Sequence, residues 1–257
     1  MKNTPFIAVT SQPVPYHADT TAIFNTLCQQ NSNSLLLDSA EIGSKNSLQS
    51  LILINAAVKI TCLGNQVTFR ALNANGKQVL NEIHPVLSQL GTVSAVNFDN
   101  EFSVQFTPLD NQLDEDSKLQ AATIFDGLRV ISNHYQHSST PVFLGGLFAY
   151  DLVANFIPMQ GVELKDDGIN CPDYSFYLAE NLITIDHQSQ QATLKSFCFS
   201  QEEQVEVAKT ALSIAQKLKN IDGVLSIKAA SDEVSTNFED PEFTGIVKAL
   251  KHHINIG

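Results

Sequence analysis

The chain has 257 residues, of which 43% are hydrophobic and 16% are charged, so it can bury a substantial core and is not disordered. Its 15 basic and 27 acidic residues give a formal net charge of −12, and no cluster of lysines and arginines offsets it. Such a chain repels phosphate backbones, which excludes nucleic acid as an expected partner. No apolar run approaches the roughly 18–20 residues that cross a bilayer, so no membrane partner is expected either.

The N-terminus and the cysteines indicate a cytoplasmic protein. The opening stretch "MKNTPFIAVT" contains a proline and only a short apolar patch in place of the long apolar region of a signal peptide. Cys28, Cys62, Cys171 and Cys198 are far apart in the sequence and form no CxxC pair. We therefore predict reduced, buried thiols rather than disulfide bonds or a zinc site.

The first third of the chain predicts a helix, a short strand and a hairpin. Asp19 can cap a helix, and "SLLLD", residues 34–38, follows as a short buried strand. Residues 56–70 alternate between apolar and polar side chains around a Gly64–Asn65 turn, which predicts a β-hairpin. The stretch "NANG" at 73–76 is predicted as a turn, followed by a helix over 77–90.

The rest of the chain predicts further strands, three helices and a linker. Pro108 stops the strand "FSVQF", and Asp240–Pro241 has the residues that suit the start of a last helix. In chain order the predicted elements are a strand at 102–106, a helix at 117–136, an apolar run with a Gly–Gly pair at 143–153, strands at 174–186 and 192–199, a helix at 201–219, a linker or surface loop at 220–240 and the last helix.

The order of these elements predicts an α+β fold, with hairpin-rich antiparallel sheets packed against helices. The strands occur in hairpins and do not alternate regularly with helices, which argues against a parallel doubly wound sheet. The last helix carries a one-sided apolar stripe that needs a surface to cover, and Gly257 stands where a helix-ending glycine belongs. We therefore expect that the sequence is a truncated form of a longer protein. The stripe consists of Phe243, Ile246, Val247 and Leu250.

Catalytic motifs are absent from the sequence. It contains no GxSxG, P-loop, GxGxxG or HExxH motif, and the adjacent His252 and His253 point about 100° apart on a helix. The acidic stretch "LDEDS" at 113–117 is typical of a helix start, where carboxylates meet the positive end of the helix dipole. We therefore predict no catalytic residues and no metal site in this chain.

The polar pair Asp38–Ser39 follows a run of three leucines, and two interpretations remain open. It can end the strand and cap the following turn. Alternatively, it can bind the ammonium group of a small zwitterion while the leucines cover an apolar part of the ligand.

Several segments together resemble the large subunit, component I, of anthranilate synthase. They occur in the order that the family has and span nearly the whole chain, although each alone consists mostly of core residues. The matching stretches are "LLLDSAEIGSKNSLQSL" at 35–51, "TIFDGLRVI" at 123–131, "FLGGLFAYDLVANF" at 143–156, "NCPDYSFYLAENLITIDHQ" at 170–188 and "FTGIVKALKHHINIG" at 243–257.

This resemblance implies the N-terminal half of an enzyme about twice as long. The family joins ammonia to chorismate and expels pyruvate to leave anthranilate, the first committed step of tryptophan biosynthesis. The ammonia comes from glutamine through an amidotransferase subunit, component II. The catalytic half, with its Mg²⁺-binding glutamates, begins after residue 257, so we expect this chain alone to be inactive. The implied division is a regulatory region at 1–220, a linker at 221–239 and, at 240–257, the first helix leading into the catalytic region.

The resemblance also implies part of a feedback site for L-tryptophan. In the family, a leucine-rich strand ending in an acid–serine pair lines that site, and the acid is often glutamate where this chain has Asp38. A basic residue often follows near Gln49, where the match fails, and Lys45 is the substitute candidate. Two other segments contain residues at which the family shows altered feedback. The candidate residues are Asp38, Ser39, Ala40, Lys45, Gln49, Arg129 and Cys171.

Two alternatives remain on the sequence alone. The large subunit of aminodeoxychorismate synthase shares the fold and the substrate, although "LLLDSA" followed by "SKNSLQSL" favours anthranilate synthase. A free-standing amino-acid-binding regulatory module belongs to a different class, and a reading frame that continues into a chorismate-binding half would eliminate it.

Overall fold

The structure is a computed structural model that divides into two compact units, Met1–Gly223 and Val224–Gly257. It describes residues 5–29, 31–38, 48–97, 100–108, 114–136, 138, 140–157, 171–221 and 237–256.

The first unit is built on one antiparallel sheet, which has nine strands within the described residues. The strand order is β1-β9-β8-β3-β4-β6-β5, with β2 also paired to β3 and β7 also paired to β8. Every pairing is antiparallel, which confirms the predicted α+β class. The strands are β1 Ala8–Val14, β2 Leu35–Asp38, β3 Gln49–Leu63, β4 Gln66–Ala71, β5 Thr92–Asn97, β6 Glu101–Gln105, β7 Leu144–Phe148, β8 Tyr174–Asp186 and β9 Gln191–Cys198.

Helices cover both faces of this sheet. On one face α2 and α4 pack against a core that includes Ile60, Phe69 and Leu178. On the other face α1 and α5 pack against a core that includes Ile52 and Ile183. The helices are α1 Thr20–Cys28, α2 Ala74–Leu87, α3 Glu115–Gln120, α4 Asp126–His134, α5 Gln204–Lys219 and, in the second unit, α6 Asp240–Ile256; a 3-10 helix spans Tyr150–Asn155.

Strand β3 organises the sheet because it is long enough to pair with three neighbours. Strands β2 and β4 lie in line along one of its edges, and β8 runs along the other. The predicted hairpin of β3 and β4 is confirmed, with Gly64 in the left-handed region at φ +57°. The pairing with β8 shifts register between Leu53 and Val58, and this irregularity lies beside the start of α2.

The beginning of α2 differs from the prediction, because "NANG" starts the helix rather than forming a separate turn. The Asn73 side chain accepts a hydrogen bond from Gly76 N at 2.8 Å and so caps the helix. Gly76 is required here, since a Cβ atom at this position would lie 1.9 Å from the carbonyl oxygen of Ala57. The predicted turn at 73–76 is therefore wrong, and the helix begins three residues earlier than expected.

The predicted long helix at 117–136 is also wrong, because the structure has two short helices, α3 and α4. Between them, Thr123 N donates to the carboxylate of Asp126 at 2.7 Å. The Tyr174 hydroxyl donates to the carbonyl of Ile124 at 2.7 Å, and the Ile124 side chain is buried. The local bond to Asp126 and the tertiary bond from Tyr174 together hold the connecting backbone out of helical geometry. The acidic stretch does start a helix as predicted, with Asp114 accepting from Ser117 N at 2.9 Å.

Strand β2 is less buried than its three leucines suggest. Leu35 and Leu36 are half-buried, whereas Leu37 is 40% exposed and Asp38 is exposed. The predicted short strand is confirmed, but its expected burial is wrong, because among the described strands β2 pairs only with β3. The strands predicted at 102–106, 174–186 and 192–199 and the helix at 201–219 are confirmed. Most of the predicted linker, 222–236, lies outside the described residues.

The described part of the second unit consists mainly of α6, as predicted for the last helix. Phe243, Ile246 and Leu250 of its apolar stripe are exposed, and Val247 is half-buried. Among the helices of the described residues, none is long and apolar enough to cross a membrane.

Candidate functional site

Asp38 is the last residue of β2 and pairs across the ladder with Ser50 of β3. Its carboxylate accepts hydrogen bonds from the Ser50 hydroxyl and, at 3.2 Å, from the Thr20 hydroxyl. Thr20 is positioned as the first residue of α1, where Asp19 caps the helix by accepting from Ala22 N at 2.9 Å. The end of β2 is thus joined by side-chain bonds to both the central strand and a helix.

The hydrogen-bonded network continues behind Ser50 through His187 to Tyr16. Ser50 is completely buried, and its oxygen lies 2.8 Å from His187 Nε2. The Tyr16 hydroxyl lies 3.2 Å from His187 Nδ1, with the two rings edge to face at 5.8 Å. Because Ser50 donates its single proton to Asp38, its oxygen must accept from Nε2–H. A neutral His187 therefore carries its proton on Nε2 and accepts from Tyr16 on Nδ1.

Asp38, Ser50 and His187 are the residue types of a hydrolytic triad, but the direction of their hydrogen bonds is different. In a triad the imidazole accepts the serine proton, and the carboxylate holds the other side of the imidazole. Here the serine is in the middle and donates to the carboxylate. The arrangement fixes a carboxylate in place and does not activate a nucleophile.

A cleft of about 400 Å³ lies beside this carboxylate. Its lining combines one acid and one amide with a leucine wall: Leu36, Leu37, Asp38, Gln49 and Leu51. A carboxylate offers about four lone-pair sites, so two hydroxyl donors leave room for a ligand's ammonium group. An apolar wall with a few convergent polar groups is typical of small-molecule sites.

Two of the sequence-predicted residues, Asp38 and Gln49, lie together at this cleft. Ser39, Ala40 and Lys45 lie outside the described residues. Arg129 and Cys171 are described, and the structure does not bring them to the cleft.

Cys171 lies near the opposite end of β3. It precedes β8 as an exposed free cysteine, and the following Asp173 donates its backbone N–H to the Cys62 carbonyl at 2.8 Å. Cys62 is twelve positions along β3 from Ser50, which is about 40 Å of extended strand. The expectation that this cysteine is buried is therefore wrong, because β8 begins only after it.

Arg129 lies on the exposed side of α4. Its guanidinium pairs with Asp126 at 3.2 Å and lies 5.9 Å from the centre of the Phe125 ring. Phe125 in turn contacts Phe148 of β7, which pairs with Tyr174 at the Cys62 end of the sheet.

Sequence reasoning missed Thr20, Ser50 and His187. Ser50 is a polar residue at an inward-facing position of β3, next to apolar Leu51 and Ile52, which is a signal of a buried hydrogen bond. The partners could not be assigned from the sequence, because nothing in it sets the register of β2 against β3.

The other cysteines fit the prediction of buried, free thiols. Cys28, Cys62 and Cys198 are buried and unpaired by disulfides. Burial, together with the nearby Asp173 carboxylate, raises the pKa of the Cys62 thiol to about 12. Within the described residues no group of three or more histidine, cysteine or acidic side chains could hold a metal ion.

Comparison with known protein families gives the class of the protein. Residues 81–257 match the family model described as chorismate binding enzyme. The chain therefore belongs to the chorismate binding enzyme family. The match begins inside α2 and so includes much of the sheet as well as α6.

Individual relatives refine this assignment. The chain is 86% identical over 252 residues to anthranilate synthase component 1 of Haemophilus influenzae, covering 98% of this chain and 49% of the relative. It is 41% identical to the Vibrio cholerae protein of the same name, covering 99% of this chain and 49% of the relative. The Escherichia coli protein is 34% identical, covering 94% of this chain and 47% of the relative. The chain thus spans about half the length of the curated relatives it matches.

Proposed function

We propose that this chain is the N-terminal part of an anthranilate synthase large subunit, and that the Asp38 cleft forms one side of its feedback site for L-tryptophan. The whole protein would convert chorismate and ammonia to anthranilate and pyruvate in the cytoplasm. The names of the relatives support the activity, and the fixed carboxylate beside a leucine wall supports the site.

The fixed carboxylate of Asp38 is the observation that carries the proposed ligand. Tryptophan offers an ammonium group, which Asp38 meets with a charge-assisted hydrogen bond, and an indole, which Leu36, on the same face of β2 as Asp38, shields from water. Because Ser50 and Thr20 already orient the carboxylate, little ordering is required when the ligand binds. The Asp38 side chain is shorter than that of glutamate, and the hydrogen bonds from Thr20 and Ser50 determine where its carboxylate lies.

The proposed activity also involves a glutamine amidotransferase partner and Mg²⁺. Component 1 in the relatives' names implies a second component, which we propose is the amidotransferase that supplies ammonia. The described residues contain no side-chain group that could hold a metal ion, so we assign no Mg²⁺ ligand to them and no step through the metal.

The decisive experiment replaces Asp38 by asparagine in the intact enzyme. Asparagine removes the charge and keeps one acceptor oxygen for Ser50, while an NH2 group replaces the oxygen that accepts from Thr20. Loss of a hydrogen bond to a charged group costs about 1.5–3 kcal/mol, which corresponds to a roughly ten- to hundredfold weaker inhibition by tryptophan. The uninhibited rate and the KM for chorismate should not change.

Asp151→Asn is the matched control, because Asp151 is an exposed aspartate in the 3-10 helix that follows β7. It should leave the inhibition constant within twofold. If Asp38→Asn also leaves tryptophan inhibition unchanged, Asp38 only ends a strand and the proposed site is wrong.

Aminodeoxychorismate synthase is the alternative reaction for this fold, and product analysis distinguishes the two. Formation of anthranilate from chorismate and ammonium supports the proposal. Formation of aminodeoxychorismate without release of pyruvate contradicts it.

A further inference from the structure

A second cavity, which we call the amide-lined cavity, lies on the first unit between α2, the irregular part of β3 and the start of α5. It has a volume of about 330 Å³ and shares no lining residue with the Asp38 cleft. Its polar lining consists of five asparagines, three glutamates and one threonine, with no lysine or arginine among the described residues that line it. Its charged lining residues are therefore all acidic.

Glu180 of β8 lines this cavity and is the most buried of its acids, with only 6% of its surface exposed. One carboxylate oxygen, Oε2, accepts hydrogen bonds from Asn73 Nδ2 and Asn75 Nδ2, both at 2.8 Å. The other oxygen, Oε1, has no hydrogen-bond partner within the described part of the chain. Burial raises the pKa of this carboxyl group, although the two amide bonds oppose the shift.

Asn73 and Asn75, which bond Glu180, use most of their side-chain hydrogen-bonding groups in bonds within the protein. Asn75 uses Nδ2 on the Phe197 carbonyl at 3.0 Å as well as on Glu180, and its Oδ1 accepts from Phe199 N at 2.6 Å. Asn73 accepts from Gly76 N, as described for the helix cap. These side chains are held rigidly, and the strongest group left facing the cavity is a carboxylate acceptor.

The rim of the cavity adds two more carboxylates at the start of α5. Glu203 is half-buried and close enough for its charge to raise the pKa of Glu180 further. Glu206 is exposed and pairs with Lys209 at 3.3 Å, an exposed contact that contributes little. The positive end of α5 already has these acids near it, and that of α2 has Glu180, so the helix dipoles do not turn the cavity into an anion site.

These observations restrict the chemistry of an occupant. A cavity lined by three acids takes a ligand that donates hydrogen bonds and carries positive charge. A divalent metal is disfavoured, because the described residues offer no set of three acidic, histidine or cysteine ligands in metal-binding geometry. The volume suits a molecule of several heavy atoms.

We propose that the amide-lined cavity binds a small organic cation through a primary ammonium group, which donates to Glu180 Oε1 and is attracted by the carboxylates of Glu203 and Glu206. The leucine, alanine and valine side chains that complete the lining, Leu72, Ala56 and Val207, contact the aliphatic part of the ligand.

The test titrates the purified chain with 1,4-diaminobutane at constant ionic strength and follows the side-chain amide signals of Asn73 and Asn75 by NMR. Saturable shifts of both signals are expected. The neutral analogue 1,4-butanediol should produce none, because it keeps the shape and removes the charge. Absence of saturation, or equal responses to the two compounds, would overturn the proposal, as would the same saturable response to MgCl₂ at matched ionic strength.

Variants at the rim test the electrostatic part without disturbing the buried network. Glu203→Gln and Glu206→Gln should each weaken binding about three- to fivefold, and the double variant at least tenfold. Glu202→Gln is the matched control, since Glu202 is exposed, lies beside Glu203 in sequence and does not line the cavity. Equal affinities for the double variant and the control would contradict the proposal.

Asp38→Asn separates this site from the feedback site. It should leave binding of 1,4-diaminobutane unchanged whether or not tryptophan inhibits the intact enzyme. A loss of diamine binding in Asp38→Asn would mean that the two cavities are not separate, which also contradicts the proposal.

Discussion

Ser50 donates its hydroxyl proton to the carboxylate of Asp38, directly across the β2–β3 ladder, although Ser50 is completely buried and Asp38 is exposed. The bond therefore connects the interior of the sheet to the charge at the cleft. Removing it affects both the stability of the sheet and the position of that charge.

Ser50→Ala should destabilise the first unit by about 1–3 kcal/mol, because it leaves His187 Nε2–H without its acceptor and Asp38 with one donor fewer. Urea unfolding measures the change. Ser11→Ala on β1 is the control, since Ser11 is exposed, and it should cost less than about 0.5 kcal/mol. Equal stabilities for the two variants would mean that the buried network contributes nothing.

Ser39→Ala tests the neighbouring hydroxyl in the intact enzyme. If Ser39 bonds the ligand in a desolvated pocket, the unsatisfied partner costs about 1–3 kcal/mol, which weakens tryptophan inhibition by roughly five- to a hundredfold. The uninhibited rate should barely change, because the proposed feedback site is separate from the chorismate site. An inhibition constant equal to that of the parent enzyme would assign Ser39 to the turn alone.

The four cysteines should differ sharply in reactivity. Only the thiolate reacts, and burial raises the pKa of the Cys28, Cys62 and Cys198 thiols. Cys171 is exposed, so a thiol reagent at neutral pH should modify one residue in the folded chain and all four after denaturation. Cys171→Ser should abolish the rapid reaction and Cys198→Ser should not. Rapid modification of two or more thiols would show that a buried cysteine is accessible.

Glu180 should make stability decrease as pH rises. Its folded pKa is raised above the unfolded value of about 4.3, so the folded state holds the proton more tightly. The contribution is fully present below about pH 4 and is lost as pH rises through the folded pKa. Each tenfold difference in proton affinity between the folded and unfolded states corresponds to about 1.4 kcal/mol. Glu180→Gln does not titrate, so the stability of the parent relative to this variant should fall between about pH 4 and the raised folded pKa.

The measurement is urea unfolding at several pH values, with Glu202→Gln as an exposed control. The control should show no comparable fall over this range. A constant difference between the parent and Glu180→Gln would mean that the buried carboxyl group does not titrate abnormally.

Gly76→Ala tests the close contact between α2 and β3. The added Cβ would lie 1.9 Å from the Ala57 carbonyl oxygen, so the helix start must move, at a cost of about 3 kcal/mol. Gly245→Ala in α6 is the control, because nothing lies within 4 Å of its Cβ position and alanine favours the helix by about 0.5–1 kcal/mol. Thermal unfolding of Gly76→Ala at the parental temperature would contradict the contact.

The sequence predicted the features that depend on local pattern. Local sequence was sufficient to predict the alternation in β3 and β4, the Gly64–Asn65 turn and the Asp19 cap, because neighbouring residues determine these features. The break before α4 was not predicted, since it depends on the Tyr174 hydroxyl, 50 positions away from Ile124, as well as on the local bond between Thr123 and Asp126. Tertiary contacts override helix propensity in such places.

The candidate site was predictable in part for the same reason. Asp38 stood out because a charge followed three leucines, and the family resemblance suggested its role. Its partner Ser50 comes from β3, and His187, which bonds Ser50, comes from the turn after β8, so only the strand register brings the three together. The same holds for Glu180, whose burial depends on the asparagines of α2.

The pairing of β1 with β9 constrains how the chain folds during synthesis. Ala8 pairs with Cys198, 190 positions later, and β1 is the outermost of the described strands at its end of the sheet. At about 5–20 residues per second, a ribosome needs on the order of 10–40 s to supply the partner. Until then β1 cannot form its ladder, and such non-local pairing slows folding. Pro13 within β1 removes one backbone donor, which reduces its capacity to pair with another nascent chain during this interval.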